Sequence, residues 1–486
     1  MSRHWFVAGV ATALFLGGCM MAPEYTRPEA PIPAGWPQGP AYAEEPFPDG
    51  APGAAQLTWR QFFADPNLCQ VIAMALENNR DLRLAALNVE RARHLYGVQR
   101  AELLPAIYAT GTGSRQRSSA DLTFPGQSRT SEVYSVDLGI AAWEVDFFGR
   151  IRSLEEQALQ EYLATDQARR GAQIVLISEV ARTYLTLAAD RANLNLARST
   201  LEAQQGVYDL IRRQYEVELA SEIDLRRAQT QVDAARGDVA RYTQWVAQDH
   251  NALNLLAGVT VPEDLLPSDL ASLNPPQAVS PGLSSEVLLW RPDIMAAEHD
   301  LKGAYAFIGA ARAAFFPRIG LTTAIGTASD ELSGLFGSGT GTWNFTPQIT
   351  MPIFDSRVWA AHRVSETLRD MALTQYEKTI QTAFREVADV LAVRGTVADQ
   401  VAAQESVVKS AQTVYDLSLD RYRHGIDSYL NVLDAQRSFY GAQQALISLQ
   451  LAALVNEVNT YAVLGGGGDV SEAPETLSKR EPTRGR

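Results

Sequence analysis

Cysteine is almost absent from this sequence, which has only Cys19 and Cys69 among its 486 residues. Two cysteines cannot build a disulfide framework or a cysteine-rich metal site. The six histidines include no pair at the spacing that zinc ligands take. The sequence therefore predicts no metal site.

Nucleotide-binding and catalytic motifs are also missing: there is no P-loop, no nucleophile elbow and no H-E-x-x-H segment. Positive charge is scarce, since the formal net charge is −14 and the sequence pI is about 5.0. A nucleic-acid surface would need a basic stripe, whereas an acidic balance suits a cavity or a pore. We therefore predict a protein that is not an enzyme, has no cofactor and binds no nucleic acid.

Proline is missing from two long stretches, one of 136 residues between Pro125 and Pro262 and one of 121 residues between Pro352 and Pro474. Both are rich in Ala, Leu, Gln, Glu and Arg, with apolar residues three and four positions apart. Each stretch predicts a pair of very long helices, of about 40 to 65 residues apiece. Helices of that length indicate coiled-coil-like packing in a rod or tube.

The chain contains an internal repeat. Residues 79–105 match residues 291–317 without a gap, at an offset of 212 that places Asp81 on Asp293, Gly97 on Gly309 and Pro105 on Pro317. A second match, at an offset of 207, places residues 215–229 on residues 422–436. The period is far too long for a solenoid unit. A duplicated domain that forms one wall of a larger symmetric object fits better.

Short stretches of alternating polarity come just before each predicted pair of long helices. In residues 132–143 one side carries Tyr134, Val136, Leu138, Ile140 and Ala142, and residues 342–353 show the same period of two. Residues 319–325 continue the pattern, and residues 107–114 do so weakly. Together these stretches predict one hairpin per repeat, with strands of about 10 residues, long enough to cross a bilayer. Pro347 interrupts the pattern, because proline belongs at a sheet edge or a bulge.

Four strands per chain cannot close a barrel, for which about eight is the minimum. Open sheet edges are not tolerated in lipid. The chain must therefore assemble with copies of itself if the hairpins insert. Two copies would give about eight strands and three copies about twelve, and strand counting does not choose between them.

The N-terminus has the features of an export signal. Arg3 precedes an apolar run from residue 5 to residue 16, and Leu16-Gly17-Gly18-Cys19 is typical of the lipoprotein cleavage site. Lipidation at Cys19 would give stable membrane anchoring, because several acyl chains are attached there. The alternative is a plain signal peptide with an incidental cysteine. Nine prolines in residues 23–52 predict an extended segment or tether.

These observations predict the following organisation: a signal peptide (1–18), a lipidated proline-rich extended segment (19–58), a first repeat (59–262), a second repeat (263–464) and a disordered tail (465–486). The first repeat has a hairpin at about 106–145 and long helices over 149–256. The second repeat has a helix over 286–315, a hairpin at about 318–354 and long helices over 356–463.

Four stretches carry a family resemblance: residues 75–89, 308–317, 375–389 and 433–438. They resemble the TolC-like outer-membrane factors, and especially the OprM-type lipoprotein efflux channels, over nearly the whole mature chain. The resemblance implies a homotrimer with a 12-stranded outer-membrane barrel on a 12-helix periplasmic tunnel. It implies that drugs and other small toxic compounds leave by this duct, delivered by an inner-membrane pump through a periplasmic adaptor. One departure is Glu218, where the first repeat usually has glycine.

The segment of residues 421–436 is the candidate closure of the tunnel. Gly425 permits a bend or break in the helix. Leu430 and Asp434 are four residues apart and share a helix face. In a symmetric assembly they would form a leucine ring and an aspartate ring, which resist wetting and select cations. The resemblance implies that these two form the periplasmic constriction, and that Arg421 and Tyr422 tether neighbouring helices, with Asp224 as a possible tether partner.

Two alternative functions remain at this stage. One is a lipoprotein coiled-coil scaffold without a pore, which would have no alternating hairpins to insert. The other is a channel for secreted proteins or metal ions rather than for drugs. A copper-export role would favour methionine clusters, and the seven methionines are scattered. The sequence does not identify the substrates.

Overall fold

The computed structural model describes residues 20–42, 57–280 and 285–467. Cys19 and the predicted signal peptide lie outside the described residues. The elements are α1 (Trp59–Phe62), α2 (Pro66–Asn78), α3 (Arg80–Ala101), β1 (Ile107–Arg117), β2 (Thr130–Val145), α4 (Arg150–Glu216), α5 (Glu222–Ala257), α6 (Pro292–Ala313), β3 (Arg318–Ser329), β4 (Gly341–Thr350), α7 (Ser356–Arg423) and α8 (Tyr429–Val463).

The order of elements repeats along the chain. Helix, hairpin, very long helix and shorter helix occur as α3-β1-β2-α4-α5 and again as α6-β3-β4-α7-α8. The long helices α4 and α7 have 67 and 68 residues, and α5 and α8 have 36 and 35. The predicted lengths of 40 to 65 residues were therefore wrong for all four. A proline-free stretch sets only an upper limit on the combined length of its two helices, and the turn between them lies past the middle of each stretch.

The strands form one antiparallel sheet in the order β1-β2-β3-β4. Ile107 lies opposite Ile140, Ile140 opposite Thr323, and Ile319 opposite Ile349. Strands β1 and β4 are the two edges, and Pro347 lies in the edge strand β4. Within one chain, proline is tolerated there because only one side of an edge strand has a ladder partner.

The two faces of the sheet differ in chemistry, as the alternation predicted. One row across the four strands consists of Ala109, Leu138, Ile325 and Trp343. The next row, on the other face, consists of Thr110, Asp137, Gly326 and Thr342. Ile325 is 67% exposed and Trp343 is 79% exposed. The chain alone therefore leaves the apolar face uncovered.

Backbone irregularities interrupt the regular pairing of β2 with β3. The pairing of β2 with β3 shifts by one residue between Ile140 and Trp143, and Ala142 has φ 53°. The Ala142 N–H donates to the Thr322 Oγ1 at 3.2 Å. A Cβ on Gly139 would overlap the Thr323 carbonyl oxygen, so only glycine fits there. Bulges and interior glycines of this kind add twist and curvature to a sheet.

The chain divides into two compact units. The strand unit contains the described residues up to Glu29, Asn88–Asp166 and Ala296–Glu377; the helical unit contains Ala30–Leu87, Gln167–Met295 and the described residues from Lys378. In the helical unit, the Phe62 ring stacks on the Tyr461 ring with centroids 4.0 Å apart. The Tyr461 hydroxyl donates to the Leu57 carbonyl at 2.8 Å. This buried contact fastens the start of the first repeat to the last helix.

Residues 20–42 form neither helix nor strand, as the prolines predicted. Within the strand unit, Arg27 and Tyr25 donate to the Glu298 carboxylate of α6, and Tyr25 packs edge-on against Tyr305 with ring centroids 5.6 Å apart. Within the helical unit, the Ser285 hydroxyl donates to the Pro33 carbonyl at 2.6 Å. The extended segment is thus held along folded elements in each unit.

Two boundaries differ from those predicted. The helix expected over 286–315 is a short 3-10 segment followed by α6, which begins at Pro292 because proline suits the first position of a helix. Residues 465–467, assigned above to the tail, are packed: the Gln173 amide donates to the Gly467 carbonyl at 3.1 Å. Within the described residues, no helix is long and apolar enough to cross a membrane.

Candidate functional site

The predicted site residues gather around two turns of the helical unit. The repeat-1 turn (residues 214–224) joins α4 to α5, and the repeat-2 turn (residues 421–431) joins α7 to α8. Their backbones match at the offset of 207. The N–H of Leu219 donates to the Gln214 carbonyl at 2.8 Å, and the N–H of Ile426 donates to the Arg421 carbonyl at 2.9 Å. This pattern satisfies the orphan carbonyls at the end of a helix.

Each turn needs one residue in the left-handed region. Gly425 has φ 70° and Glu218, its counterpart, has φ 62°. Glycine adopts this conformation at no steric cost, whereas another residue loses about 1 kcal/mol or more. Gly425 therefore ends α7 rather than bending a continuous helix. Glu218 takes the same backbone without glycine's freedom.

A buried apolar cluster holds the four helix ends together. Its members come from α4, α5 and α8: Ile211, Ala228, Tyr429, Val432 and Leu433. Partly buried residues from α7, including Tyr415, Leu419 and Tyr422, pack against it. Residues from both repeats contribute, so the two turns form one packed assembly.

Arg421 pairs across its own turn. Its Nε donates to the Asp427 Oδ2 at 2.6 Å and its Nη2 to the Asp427 Oδ1 at 3.3 Å. The hydrogen bond from Arg421 lowers the pKa of the partly exposed Asp427 carboxyl. The sequence prediction missed Asp427, although its spacing of six residues across a glycine turn was a usable signal. Within one chain, this pairing stabilises the repeat-2 turn.

Tyr422 joins the two repeats. Its hydroxyl donates to the Gln214 Oε1 of α4 at 3.2 Å, and its ring lies 5.4 Å from the Tyr429 ring. Burial and, to a smaller extent, the Asp224 carboxylate raise the pKa of Tyr422. Asp224 itself belongs to the first turn of α5, where the Ser221 hydroxyl donates to its Oδ2 at 2.7 Å. A carboxylate at this position also interacts favourably with the partial positive charge at the N-terminus of α5.

Leu430 and Asp434 lie on the exposed side of α8, one turn apart. Leu430 is 43% exposed, while Val432 and Leu433 of the same helix face the buried cluster. The Arg437 Nη2 donates to the Asp434 Oδ1 at 2.6 Å. The sequence prediction did not include Arg437, although a spacing of three on a helix permits this ion pair. Asp434 is therefore ion-paired with Arg437, as Asp427 is with Arg421.

A carboxyl pair that the sequence analysis missed lies on α4 and α5 of the helical unit. The carboxyls of Asp190 and Asp249 are close enough to influence each other's ionisation, and both residues are half-buried. Burial first, and then the neighbouring Asp190, raise the pKa of Asp249 to about 7. The second repeat has Asn456 at the position of Asp249, and its amide donates to the Val390 carbonyl at 3.1 Å. No group of His, Cys, Asp and Glu among the described residues could hold a metal ion.

With this geometry in view, comparison with known proteins identifies the family. The model of the outer membrane efflux protein family matches residues 71–259 and 283–466. The chain belongs to this family. It is therefore an outer-membrane transport protein of an efflux system and not an enzyme, as predicted, and the predicted fold class, long helices combined with a four-stranded sheet in an internal repeat, is confirmed.

Individual relatives cover almost the whole chain. A toluene efflux pump outer membrane protein of Pseudomonas putida, TtgC, is 49% identical over 94% of this chain and 94% of its own length. A membrane protein structure from Pseudomonas aeruginosa has 40% identity and a TM-score of 0.85, covering 92% of this chain and 100% of its own. The open MtrE outer membrane channel of Neisseria gonorrhoeae has 37% identity and a TM-score of 0.82, covering 92% and 98%.

Proposed function

We propose that this outer-membrane channel is the passive exit duct for small toxic compounds, such as antibiotics and organic solvents. An inner-membrane pump delivers them through a periplasmic adaptor. The family membership over both repeats carries this proposal. Toluene efflux by a relative that is 49% identical makes solvents the first substrates to test.

The channel is a homotrimer in this proposal. One chain supplies four strands with both edges unpaired, and lipid does not tolerate open edges. Three copies supply about twelve strands, enough to close a barrel around a water-filled lumen. The exposed apolar row that contains Ile325 and Trp343 is then the surface that meets lipid.

The two turns form the periplasmic closure. Leu430 and Asp434 are exposed residues in the first turns of α8, and around an axis they make a dry ring and a charged ring. The contacts Arg421–Asp427 and Tyr422–Gln214 keep the helix ends in place. Asp224 acts indirectly, through the start of α5 and its charge near Tyr422. Gly425 supplies the sharp break between α7 and α8.

A deletion strain tests the transport proposal. Cells that lack the gene should become sensitive to toluene and to antibiotics, and the intact gene should restore resistance while its product co-purifies with an adaptor and a pump. Purified protein should be trimeric in mild detergent by light scattering and should conduct ions in planar bilayers. A trimer without conductance would instead support a coiled-coil scaffold, and restored export of only proteins or metal ions would support the other alternative.

Lipidation at Cys19 anchors the N-terminus in this proposal. Cys19 is outside the described residues, but the chain that follows is fastened to the strand unit: Arg312 donates to the Met21 carbonyl at 3.3 Å. We expect Cys19→Ser to abolish labelling with a radioactive fatty acid, while Cys69→Ser keeps it. Some Cys19→Ser protein should still reach the outer membrane, because the strands also insert. Undiminished labelling of Cys19→Ser would refute the lipid anchor.

A further inference from the structure

The sheet ends in an unpaired strand on each side, β1 and β4, and all their residues are exposed. Chain direction makes a β4-to-β1 contact between copies antiparallel, because neighbouring strands within the chain already alternate in direction. Such a contact is head-to-tail and closes into a ring when the rotation permits. The inference below rests on the oligomer proposed above and concerns the register of that contact.

The internal repeat relates the two hairpins by fixed offsets. Ile107 lies opposite Ile140 in the first hairpin, and Ile319 lies opposite Ile349 in the second. Strand β3 is therefore β1 displaced by 212 residues (319 minus 107), the offset found in the sequence. Strand β4 is β2 displaced by 209 residues (349 minus 140).

The contact between β2 and β3 is already a contact between one hairpin and the next. If two copies pair in the same way, β4 of one copy takes the place of β2, and β1 of the next copy takes the place of β3. Each β2 residue is then replaced by the β4 residue 209 positions later, and each β3 residue by the β1 residue 212 positions earlier. The pair Ile140–Thr323 then becomes Ile349 with Gly111. We propose that β4 of one copy pairs with β1 of the next copy in this register, with Ile349 opposite Gly111 of that copy.

This register matches polar side chains on the polar face. The pairs it makes there are Gln348 with Thr112, Thr346 with Ser114, and Asn344 with Gln116. A slip of one residue would place the polar residues of β4 against the apolar face, because side chains alternate along a strand. Slips of two residues keep the faces matched and must be excluded by experiment.

On the face that contains Ile349, the proposed register places large side chains opposite glycines and aromatic rings opposite arginines. Ile349 and Pro347 meet Gly111 and Gly113 of the next copy, so bulky residues lie opposite residues without side chains. Further along, Phe345 and Trp343 meet the arginines at positions 115 and 117 of that copy. In one chain Phe345 is 61% exposed, and the Arg115 side chain is 72% exposed although its Nε pairs with Glu132. Arginine against an aromatic ring is a favourable pair, worth about 0.5–1 kcal/mol at exposed sites.

Beyond the bulge at Ala142, the same replacement of β2 by β4 and of β3 by β1 gives a partner to the exposed Phe354. The pair Val145–Ile319 becomes Phe354 with Ile107 of the next copy. Phe354 is 93% exposed and Ile107 is 67% exposed in one chain. The bulge residue Ala142 corresponds to Met351, just after β4 ends. Assembly would therefore extend β4 beyond Thr350 and cover both side chains.

Disulfide mapping tests the register. In a Cys69→Ser background, each chain carries one cysteine on β4 and one on β1, either Gln348→Cys with Thr112→Cys or Ile349→Cys with Gly111→Cys. The two pairs lie on opposite faces, so one of them is a non-hydrogen-bonded pair with closely spaced side chains. Within a chain β1 and β4 are three strand spacings apart, about 14 Å, too far for a disulfide, whose Cα atoms lie at most about 7 Å apart.

Slipped pairs are the matched controls: Gln348→Cys with Thr110→Cys, Gln348→Cys with Ser114→Cys, and Ile349→Cys with Ala109→Cys. Oxidised protein is separated on denaturing gels, and the Cys69→Ser parent reports background. We expect one or both of the proposed pairs to give a covalent trimer several-fold more efficiently than any slipped pair.

Three results would overturn the proposal. More efficient linkage by a slipped pair, or no linkage by any pair in protein that light scattering shows to be trimeric, would refute the register and leave the trimer intact. Protein that is monomeric by light scattering before oxidation would refute the trimer and the register together.

Discussion

The two turns of the helical unit have the same backbone and different side chains. Both end a long helix with the same pair of hydrogen bonds and one residue in the left-handed region. At equivalent positions the first turn has Gln214 and Ala220, and the second has the ion-paired Arg421 and Asp427. The two repeats have kept the same backbone in this turn, while the ion pair that crosses the turn is present only in the second repeat.

The difference continues along the helices that follow. Leu430 and Asp434 of α8 correspond to Ile223 and Arg227 of α5. An aspartate with its own arginine therefore stands where the first repeat has a residue of opposite charge. This difference favours a gate that the two repeats do not share equally. We propose that the second repeat supplies the constriction and that the first repeat supplies the surface against which it packs.

The largest expected effect comes from removing the proposed constriction. Leu430→Ala with Asp434→Ala should raise single-channel conductance several-fold and make cells leakier to large antibiotics, because both the dry ring and the charged ring are lost. The equivalent change in the first repeat, Ile223→Ala with Arg227→Ala, should leave conductance close to that of the unmodified channel. Equal effects from the two double variants would show that the repeats share the gate.

Substitutions at the two left-handed positions, Gly425 and Glu218, should change the free energy of unfolding in opposite directions. Gly425→Ala forces alanine into the left-handed region and should cost about 1–2 kcal/mol per chain. Glu218→Gly relieves that strain but frees the unfolded chain, so we expect a net gain of about 0.5–1 kcal/mol. Thermal unfolding of the detergent-solubilised protein measures both. A Gly425→Ala variant as stable as the unmodified protein would contradict the strain argument.

The positions of the two turns were predictable from the sequence, but the ion pairs at the second turn and the helix lengths were not. The repeat offset and Gly425 placed the turns, and the departure at Glu218 was visible in the sequence. The ion pairs Arg421–Asp427 and Asp434–Arg437 were missed because exposed side chains choose among several partners within reach. The helix lengths were wrong because they were predicted from the proline-free stretches, and the absence of proline does not show where one helix ends and the next begins.

The carboxyl pair should make the first repeat more sensitive to pH than the second. The pKa of Asp249 is raised in the folded state to about 7, above its unfolded value of about 3.9. Folding therefore keeps a proton that the unfolded chain releases, and stability falls as pH rises from about 4 to about 7. Asp249→Asn, which copies Asn456, should flatten this slope in unfolding measured between pH 5 and pH 8. An unchanged slope would contradict the assignment to Asp249.

The smallest expected effect concerns ion preference. Arg437→Ala leaves Asp434 without its partner and should increase the preference for cations, whereas Asp434→Asn should decrease it. Thr230→Ala, the equivalent of Arg437 in the first repeat, is the control and should change nothing. Reversal potentials in asymmetric salt measure each shift. The same direction of shift for Arg437→Ala and Asp434→Asn would show that the ion pair does not face the ion path.

The central claim is that Leu430, and not its counterpart Ile223, lines the narrowest part of the channel. Block by Cd²⁺ tests it directly, because thiolates bind soft metal ions and a ring of cysteines around a narrow axis can share one. In the Cys69→Ser background, single-channel current through Leu430→Cys should be blocked by Cd²⁺ and restored by a chelator, while Ile223→Cys should be unaffected. Block of Ile223→Cys with no effect on Leu430→Cys would contradict the account.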